Sequence, residues 1–358
     1  MNIKKLALQN FRNYKNQEIT FGKNVNVIYG DNAQGKTNII EAIFLSSMGK
    51  SFRTNKDNEL IYFDERISKI KVEFEKKDRT GSIETQIEEK KTFFVNGVKQ
   101  NKISDIIGKI NVVIFTPDNI EIIKDGPQKR RKFLDMMISS LRPNYLHLLN
   151  NYNKALEQRN NYLKQIKFEH KAPSLLDIWD EQLSVLSSQI FEYRNSYTQK
   201  MSDRIEVIHN QITKSGKHKE KIKLKYISTG KDKDTFKTSL EKSRNLDISR
   251  GYTATGIHRD DFIVYVNGKP VSVFGSQGQQ RTTILSLKLC ELSIVKEELG
   301  ETPILLLDDF MSELDEKRRT SFLENIQDCQ VIITCTDDIK LTGKVQSFYV
   351  ESGNVYKK

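Results

Sequence analysis

Hydrophobic and polar residues in the first third of the chain follow two different periods. Alternation over 3–9 and 17–21 predicts two strands joined by a turn, and "VNVIYG" (25–30) predicts a short buried strand. In "KTNIIEAIFLSSMG" (36–49) the apolar residues recur at helical spacing, which predicts a helix that ends at its glycine. From about 67 to 98 the alternation returns, with turn residues between its segments. The first third therefore predicts a strand, a glycine turn and a helix, followed by an antiparallel sheet.

The middle of the chain is predicted to be mainly helical. Helical patterns cover 128–168 and 174–213, and 171–173 is the natural break between them. A strand pattern resumes at 221–228. These helices are too short for a long coiled-coil arm.

The final third again mixes strands and helices. "DDFIVYVNGKPVSVF" (260–274) predicts a hairpin around Asn267-Gly268, and a long helix follows it. "PILLLDD" (303–309) and "QVIITCT" (330–336) predict two buried strands. The outer thirds are therefore predicted to form an α/β fold with some antiparallel sheet, around a helical insert.

Charge changes this picture, because the formal net charge of +11 is concentrated in the insert. Residues 119–250 contain 26 Lys and Arg against 16 Asp and Glu, an excess of ten. Such a field attracts nucleic acid without specifying which kind. Two clusters are candidate DNA contacts: Lys217, Lys219, Lys221, Lys223 and Lys225, and the rival group Lys129, Arg130, Arg131 and Lys132. The alternatives are a solvated helix face or, for the alternating lysines, an edge strand protected by charge.

Other features limit the class of protein. No apolar run approaches the roughly 18–20 residues that a membrane-spanning helix needs, and the N-terminal residues lack the pattern of an export signal. Cys290, Cys329 and Cys335 form no CxxC pair and have no neighbouring His cluster, so we expect neither a disulfide framework nor a zinc site. We therefore expect a cytoplasmic protein with no membrane partner.

The stretch "GDNAQGKT" (30–37) matches a phosphate-binding loop, and it lies between a predicted strand and a predicted helix, as that motif requires. Its glycines let backbone N–H groups turn toward phosphates, Lys36 reaches the β- and γ-phosphates in binding and catalysis, and Thr37 supplies an oxygen to Mg²⁺. The motif therefore predicts a site for ATP and Mg²⁺. The candidate nucleotide-binding residues are Gly30, Asp31, Asn32, Ala33, Gln34, Gly35, Lys36, Thr37 and Asn38.

Two carboxylates follow the predicted strand "ILLL" and complete this prediction. In P-loop ATPases an Asp in this place, here Asp308, holds the Mg²⁺ shell, and the next residue, here Asp309, can align the attacking water. The alternative is a pair of carboxylates that merely ends a strand and caps a helix. The phosphate-binding loop favours the functional interpretation.

A third motif, "SQGQQR" (276–281), resembles the signature motif of ATP-binding-cassette ATPases, in which a Ser and a Gly open a helix. This resemblance implies that Ser276, Gly278 and Gln279 complete the nucleotide site of a second subunit, with ATP sandwiched between two heads. "SELD" (312–315) resembles the D-loop of the same family, which crosses that dimer interface.

Most of the chain is similar to the RecF family, whose members are cassette ATPases related to the SMC proteins. The similar stretches are "LQNFRNY", "GDNAQGKTNIIEAIFLSSMGKSFR", "FTPDNIEIIKDGPQKRRKFLD", "TGIHRDDF", "SQGQQRT" and "LLLDDFMSELD". The resemblance implies an ABC-type P-loop ATPase head with an antiparallel β subdomain, formed by 1–118 and 250–358. It implies a mainly helical second lobe at 119–249. In related heads an Arg near the position of Arg12 touches the nucleotide, so the resemblance makes Arg12 a further candidate nucleotide contact. The alternative is that Arg12 is simply an exposed arginine in a turn.

Membership of this family further implies ATP-dependent dimerisation on double-stranded DNA and work in recombinational repair. It implies contact with RecR, indirect work with RecO, and help in loading RecA at single-strand gaps. Two departures from the broader cassette pattern bear on turnover. The base position is Asp309 where Glu is usual, and "VIITCTDD" (331–338) lacks the expected switch histidine. We therefore expect a weak, DNA-dependent ATPase in which ATP times the association of the dimer.

Two interpretations of other classes compete with a DNA-bound ATPase. The nucleotide-binding subunit of a transporter would carry a Gln-containing loop and the switch histidine. Here "FTPD" (115–118) stands near where the Gln would be expected, and the histidine is missing. A phosphotransferase would leave the signature motif unexplained. His258 is expected to anchor a loop rather than to act in catalysis.

Overall fold

The structure is a computed structural model that describes residues 1–77, 79–213, 220–310, 322, 326, 328–337 and 344–358. The described residues form two compact units. The first contains Met1–Asn119 and Glu291–Lys358, and the second contains Ile120–Cys290. The "SELD" motif and the candidate DNA contacts Lys217 and Lys219 lie outside the described residues.

The first unit contains an antiparallel sheet whose strands are joined mostly by tight turns. Its strand order is β2-β1-β4-β5-β6-β7. The strands are β1 (Asn2–Phe11), β2 (Tyr14–Thr20), β4 (Ser68–Lys76), β5 (Arg79–Ile87), β6 (Lys91–Val95) and β7 (Val98–Gln100). Alternating residues on one face of these strands are buried, including Ile70, Val72 and Ile83, as the period-2 pattern predicts.

The second sheet of this unit is mostly parallel and carries the predicted nucleotide motifs. Its order is β15-β14-β3-β13-β12-β8, and only β15 is antiparallel to its neighbour. The strands are β3 (Val25–Tyr29), β8 (Val112–Phe115), β12 (Ile304–Leu307), β13 (Val331–Cys335), β14 (Val345–Glu351) and β15 (Asn354–Lys357). Because β3 and β12 are parallel and flank β13, the residues that follow both strands meet at one edge of the sheet. The helix α1 (Lys36–Met48) starts at this edge and is almost entirely buried.

The second unit is mainly helical, with one small sheet. Its elements are α2 (Glu121–Lys124), α3 (Pro127–Leu141), α4 (Pro143–Glu169), α5 (Leu176–Thr213), β9 (Ile222–Ile227), α6 (Lys233–Arg250), β10 (Asp261–Val266), β11 (Lys269–Pro270), α7 (Val271–Phe274) and the start of α8 (Gln277–Leu299). Strand β9 is at the edge of the sheet β11-β10-β9. Inside the unit, the fully buried Arg159 of α4 donates to Asp180 of α5 and Asp247 of α6, and so ties three helices together.

The structure departs from the predicted elements at three places. The helical pattern of 128–168 is divided at Pro143, which has no N–H to donate and holds Arg142 in an extended conformation. Helix α6 was not predicted, although Asp232 and Thr235 form a capping box at its start. The predicted hairpin of 260–274 has only two residues in its second strand before one turn of helix.

The second compact unit also extends further along the chain than the lobe predicted at 119–249. It ends at Cys290, because β10 pairs with β9 along its whole length and the first part of α8 packs on α5. The hairpin and the signature motif therefore belong to the mainly helical unit.

Candidate functional site

The loop after β3 has two positions at which the backbone requires glycine. Gly30 has φ +149°, and a Cβ at this position would lie 2.3 Å from the carbonyl oxygen of Val350. Gly35 has φ +112°, and a Cβ there would lie 2.5 Å from Asn13 Nδ2. Ala33, with φ +67°, is a third residue in a left-handed conformation. These angles curl the loop over the N-terminus of α1, where free N–H groups favour an anion.

Side chains from outside the loop hold it in this conformation. Asn13 Nδ2 donates to the carbonyl oxygen of Gln34 (2.8 Å), and the hydroxyl of Tyr14 donates to the carbonyl oxygen of Gly35 (3.0 Å). Asn38 Nδ2 donates to Asn13 Oδ1 (2.8 Å). The turn between β1 and β2, predicted only as a connection, therefore supports the loop.

Lys36 lies inside the loop and is only 4% exposed. Its Nζ donates to the carbonyl oxygens of Gly30 (2.6 Å) and Asp31 (2.8 Å). The ammonium is thus surrounded by the loop that would carry the phosphates. Its position fits the role predicted for it, since a lysine here serves as a point charge for phosphate oxygens.

Thr37 and Asp308, predicted separately from two motifs, are in direct contact. Thr37 Oγ1 donates to Asp308 Oδ1 at 2.8 Å, and Thr334 Oγ1 donates to the same oxygen at 2.8 Å. Burial raises the pKa of the Asp308 carboxyl above its ordinary value, and the hydrogen bonds from Thr334 and Thr37 partly offset this rise. A hydroxyl and a buried carboxylate at the edge of a phosphate loop are the oxygen ligands that Mg²⁺ prefers, so the residues present fit this ion.

Asp309 follows directly and has an unusual backbone. Its φ is +45°, and its N–H donates to Thr334 Oγ1 at 3.0 Å. The side chain is half-buried. A left-handed conformation is uncommon for a residue other than glycine, and such residues cluster at functional sites.

A buried carboxylate beside the loop, Glu41, was missed in the sequence. It is fully buried on α1 and accepts two hydrogen bonds from Arg12, from Nε (2.9 Å) and from NH2 (2.7 Å). Arg53 donates to it at 3.2 Å and to Asn38 Oδ1 at 2.7 Å, and Ser51 Oγ donates to it at 2.5 Å. Arg12 therefore has a structural partner, and the partly exposed Arg53 is a further cation at the site. The only hint in the sequence was a Glu within the apolar run of a helix.

The signature residues start α8 in the second unit. Ser276 Oγ accepts from the N–H of Gln279 (3.2 Å), while Gln279 Oε1 accepts from the N–H of Ser276 (3.0 Å). This reciprocal arrangement caps the helix. Gly278 lies between them. Gln279 Nε2 also donates to Glu220 Oε1 at 2.6 Å, so its amide is used at both ends.

The two predicted basic clusters differ in how their cations are used. Lys223 and Lys225 are exposed on one face of β9, Lys221 is exposed directly before this strand, and these three lysines form no ion pair within the described part of the chain. We call these three residues the lysine stripe. In the rival cluster Arg130 is paired with Asp261 through two hydrogen bonds (2.6 and 3.0 Å).

Two more cations of the rival cluster are engaged within the second unit, whereas Lys132 is exposed. Arg131 donates to the carbonyl oxygen of Asp260 at 2.7 Å, and Lys129 pairs with Glu121. Structural partners leave Lys129, Arg130 and Arg131 less available to a polyanion than the lysine stripe is.

His258 has the environment of a structural residue. One ring nitrogen is 2.7 Å from the hydroxyl of Tyr152 and the other is 3.1 Å from the carbonyl oxygen of Thr253. Burial lowers the pKa of His258 to about 4. A histidine held neutral between two fixed partners agrees with the predicted loop anchor.

Two properties of the described ranges bear on other classes of protein. None of the helices there combines the length and apolar character needed to cross a bilayer. Over the same ranges, His, Cys, Asp and Glu side chains form no group of three or more that could hold a metal ion. A magnesium ion bound by Thr37, Asp308 and phosphate oxygens needs no such group.

Comparison with known proteins gives a consistent result. Residues 2–352 match the family described as the RecF/RecN/SMC N-terminal domain. The DNA replication and repair protein RecF of Clostridium kluyveri is 47% identical over 366 residues, covering 99% of both chains. That of Clostridium acetobutylicum is 43% identical over 363 residues, covering 100% of this chain and 98% of its own.

Solved structures agree. A structure of the recombination mediator protein RecF with ATP, in the RecFOR pathway, has a TM-score of 0.93 and 40% identity, covering 99% of this chain and 97% of its own. An SMC head domain from Pyrococcus furiosus has a TM-score of 0.58 at 17% identity, which shows a shared fold. The predicted fold class, an ABC-type P-loop ATPase head with an antiparallel β subdomain and a mainly helical second lobe, is confirmed. The transporter alternative is not favoured. The chain belongs to the RecF family of DNA replication and repair proteins.

Proposed function

We propose that this chain binds ATP with Mg²⁺ and uses the nucleotide to control its capture of double-stranded DNA in recombinational repair. The observation that supports the nucleotide site most directly is the contact between Thr37 Oγ1 and Asp308 Oδ1 at 2.8 Å. Chance matches to either motif would not bring together a side chain at the start of α1 and one that follows β12, at the same edge of the parallel sheet. Family membership supports the link to DNA repair.

Each residue of the loop has a role that follows from its position. The N–H groups of Gly30–Asn38 and the N-terminus of α1 bind phosphate oxygens, and Lys36 Nζ exchanges its two carbonyl partners for the β- and γ-phosphates. Thr37 and Asp308 would hold Mg²⁺, which would supply positive charge to neutralise the phosphates. Arg12 and Arg53 add positive charge close to the loop while Glu41 fixes their positions.

Hydrolysis is proposed to be slow. Asp309 is the group that would orient the attacking water, and it is one methylene shorter than the Glu usual in cassette ATPases. No histidine is present in "VIITCTDD" to contact the γ-phosphate. With weak positioning of the water, ATP acts as a timer for association rather than as fuel for a power stroke. A turnover in the tens per second would contradict this part of the proposal.

The signature residues Ser276, Gly278 and Gln279 are proposed to complete the site of a second copy of this chain. Their support is the resemblance to cassette ATPases and the preformed cap of α8. Two chains would then close around two ATP molecules, and the ATP-dependent homodimer would be the form that holds DNA.

The lysine stripe is the proposed contact with the DNA backbone. Its residues are about 7 Å apart along the strand, close to the spacing of phosphates along one DNA strand. The resemblance to the RecF family further implies action at gap junctions through RecR, with RecO and RecA as indirect partners, and the solved RecF structure with ATP is that of a recombination mediator in the RecFOR pathway.

The test is fluorescence anisotropy of a labelled duplex titrated with the full chain at two salt concentrations. It compares protein without nucleotide, with ADP, and with ATP in the Asp309→Asn variant, which is expected to suppress hydrolysis. Binding that is strengthened by ATP alone supports the proposal. Lys36→Ala should remove the ATP effect, while Lys90→Ala, an exposed lysine of the same unit, should retain it. Equal, salt-sensitive binding in all three states would reduce the lysines to a generic polyanion surface, and absence of binding would contradict the proposal.

A further inference from the structure

A chain of hydrogen bonds connects the signature motif to the strand that carries the lysine stripe. Gln279 Nε2 donates to Glu220 Oε1 at 2.6 Å, and Glu220 Oε2 is 2.8 Å from His209 Nε2. The other ring nitrogen, Nδ1, is 2.9 Å from Ser286 Oγ. All of these residues belong to the second unit, and Glu220 directly precedes Lys221 in the chain.

The carboxylate of Glu220 can only accept, so Nε2 of His209 donates to it. The other ring nitrogen, Nδ1, is hydrogen-bonded to Ser286 Oγ, which also lies 2.8 Å from the carbonyl oxygen of Thr282. His209 is fully buried on α5, and both of its ring nitrogens are committed. Glu220 is therefore held between a fixed donor on α5 and the amide of Gln279.

Gln279 passes this constraint to the start of α8. Its Oε1 accepts from the N–H of Ser276, and its own N–H donates to Ser276 Oγ. The position of the Gln279 amide thus fixes the serine that would face a nucleotide. Hydrogen bonds to a carboxylate are about twice as strong as neutral ones, so Glu220 is the strongest restraint on this amide.

The other end of the chain leads to the lysine stripe. Lys221 N–H donates to Asn267 Oδ1 (3.0 Å), and the strand β9 that follows it presents Lys223 and Lys225 on its exposed face. Strand β9 is also fixed to α5, where Ser202 Oγ is 3.3 Å from both the N–H and the carbonyl oxygen of Leu224. DNA phosphates that bind the lysine stripe would therefore restrain the segment from Glu220 to Lys225, and with it Glu220 itself.

We propose that Glu220 is a positioning residue that couples DNA contacts at the lysine stripe to the presentation of Ser276 and Gly278. This inference rests on the proposed function, because it assumes that the stripe binds DNA and that the signature residues face a nucleotide. DNA bound to the stripe holds β9 and Glu220 in one arrangement, and Gln279 then holds the start of α8 in the arrangement that completes a nucleotide site. Two sites are coupled in this way only if each biases the same element, and here that element is the segment from Glu220 to Lys225.

The experiment compares three variants of the full chain with the unchanged protein. Glu220→Ala removes the hydrogen bonds to Gln279 and His209, and Glu220→Gln keeps an acceptor for Gln279. Glu241→Ala is the matched control, since it removes one negative charge from an exposed site of the same unit. For each chain we would measure duplex affinity without nucleotide, the ATPase rate with and without saturating duplex, and the thermal midpoint. A further readout, independent of activity, is hydrogen exchange of amides 276–281 with and without duplex.

The proposal predicts that Glu220→Ala binds duplex within about twofold of the unchanged chain but loses most of the stimulation of its ATPase by DNA. We expect at least about a fivefold loss, the lower end of typical coupling between sites. Duplex should alter exchange of 276–281 in the unchanged chain and in Glu241→Ala, but not in Glu220→Ala. Glu220→Gln should recover at least half of the stimulation.

Three results would overturn the inference. The first is normal stimulation in Glu220→Ala, and the second is loss of duplex binding itself in that variant. The third is equal loss in Glu220→Ala and Glu220→Gln together with a lower thermal midpoint, which would show a purely structural role. If the unchanged chain neither binds duplex nor hydrolyses ATP, the proposed function fails too, so the two failures are distinguishable.

Discussion

The pairing of Arg12 with Glu41 predicts a large stability effect at a residue that the sequence offered as a nucleotide ligand. Replacing Arg12 by Met leaves the fully buried Glu41 carboxylate without the partner that donates two hydrogen bonds to it. Arg12 also donates to the carbonyl oxygen of Glu59 at 2.6 Å. The replacement therefore removes three hydrogen bonds that the Arg12 guanidinium donates, two of them to Glu41. The folded protein should lose stability even in the absence of nucleotide.

The magnitude follows from what remains around the carboxylate. Removing one partner of a buried ion pair costs roughly 3–5 kcal/mol. Ser51 (2.5 Å) and Arg53 (3.2 Å) still contact Glu41 after the change, and the Arg12 side chain is 17% exposed. These features place the expected loss near the lower end, at about 3 kcal/mol.

The assay is urea unfolding of the nucleotide-free protein, followed by circular dichroism, in a double-mutant cycle. Because two apolar residues can replace a buried ion pair at little cost, Arg12→Met combined with Glu41→Met should cost no more than either change alone. Arg66→Met, at an exposed arginine of the same unit, should change the free energy of unfolding by less than about 0.5 kcal/mol. Additive costs would refute the reasoning. So would an Arg12→Met protein of normal stability that binds ATP weakly, since Arg12 would then be a nucleotide ligand.

The remaining predictions concern DNA binding, pH and the loop. Lys223→Glu with Lys225→Glu should weaken duplex binding and reduce the salt slope by about 2, whereas Lys129→Glu should change affinity less than twofold, as anisotropy at several salt concentrations would show. His258, whose pKa is lowered to about 4 by burial, stays neutral in the folded protein at a pH where the unfolded chain takes up a proton. Stability should therefore fall by about 2 kcal/mol between pH 7 and pH 5, and His258→Gln should lack this part of the fall in urea unfolding followed by the single tryptophan. Gly30→Ala forces a Cβ to within 2.3 Å of a carbonyl oxygen of β14, so it should lower the thermal midpoint and abolish ATP binding in a nucleotide titration, and normal binding would contradict a steric conflict at this position.

Features set by local sequence were predicted well. The strand, glycine loop and helix of the first third depend on a period and a spacing that lie within about twenty residues, and the structure has them at β3 and α1. The place of Asp308 followed from the same logic, because a buried strand that ends in carboxylates has few locations in a parallel sheet. The break at Pro143 and the cap of α6 were also local, so the sequence contained the information for both.

Features set by tertiary contacts could not be predicted in this way. Arg12 and Glu41 are 29 residues apart, and Gln279 and Glu220 are 59 residues apart. Neither pair has a spacing that marks it in the sequence. A Glu in a helix and an Arg in a turn are normally solvated, so composition alone places all four side chains in water. Their burial or pairing is decided by which elements pack together.

The lysine stripe shows why the sign of a charge, rather than its presence, decides between two explanations. Strand β9 is an edge strand, and charged residues on such a strand prevent it from pairing with another chain. The same three lysines also suit a DNA backbone, so their position supports both roles. Glutamate protects an edge as well as lysine does, whereas only a cation releases counterions from DNA. A reversed stripe that leaves the protein soluble and folded but loses duplex affinity therefore assigns the lysines to DNA, and one that retains affinity assigns them to the edge.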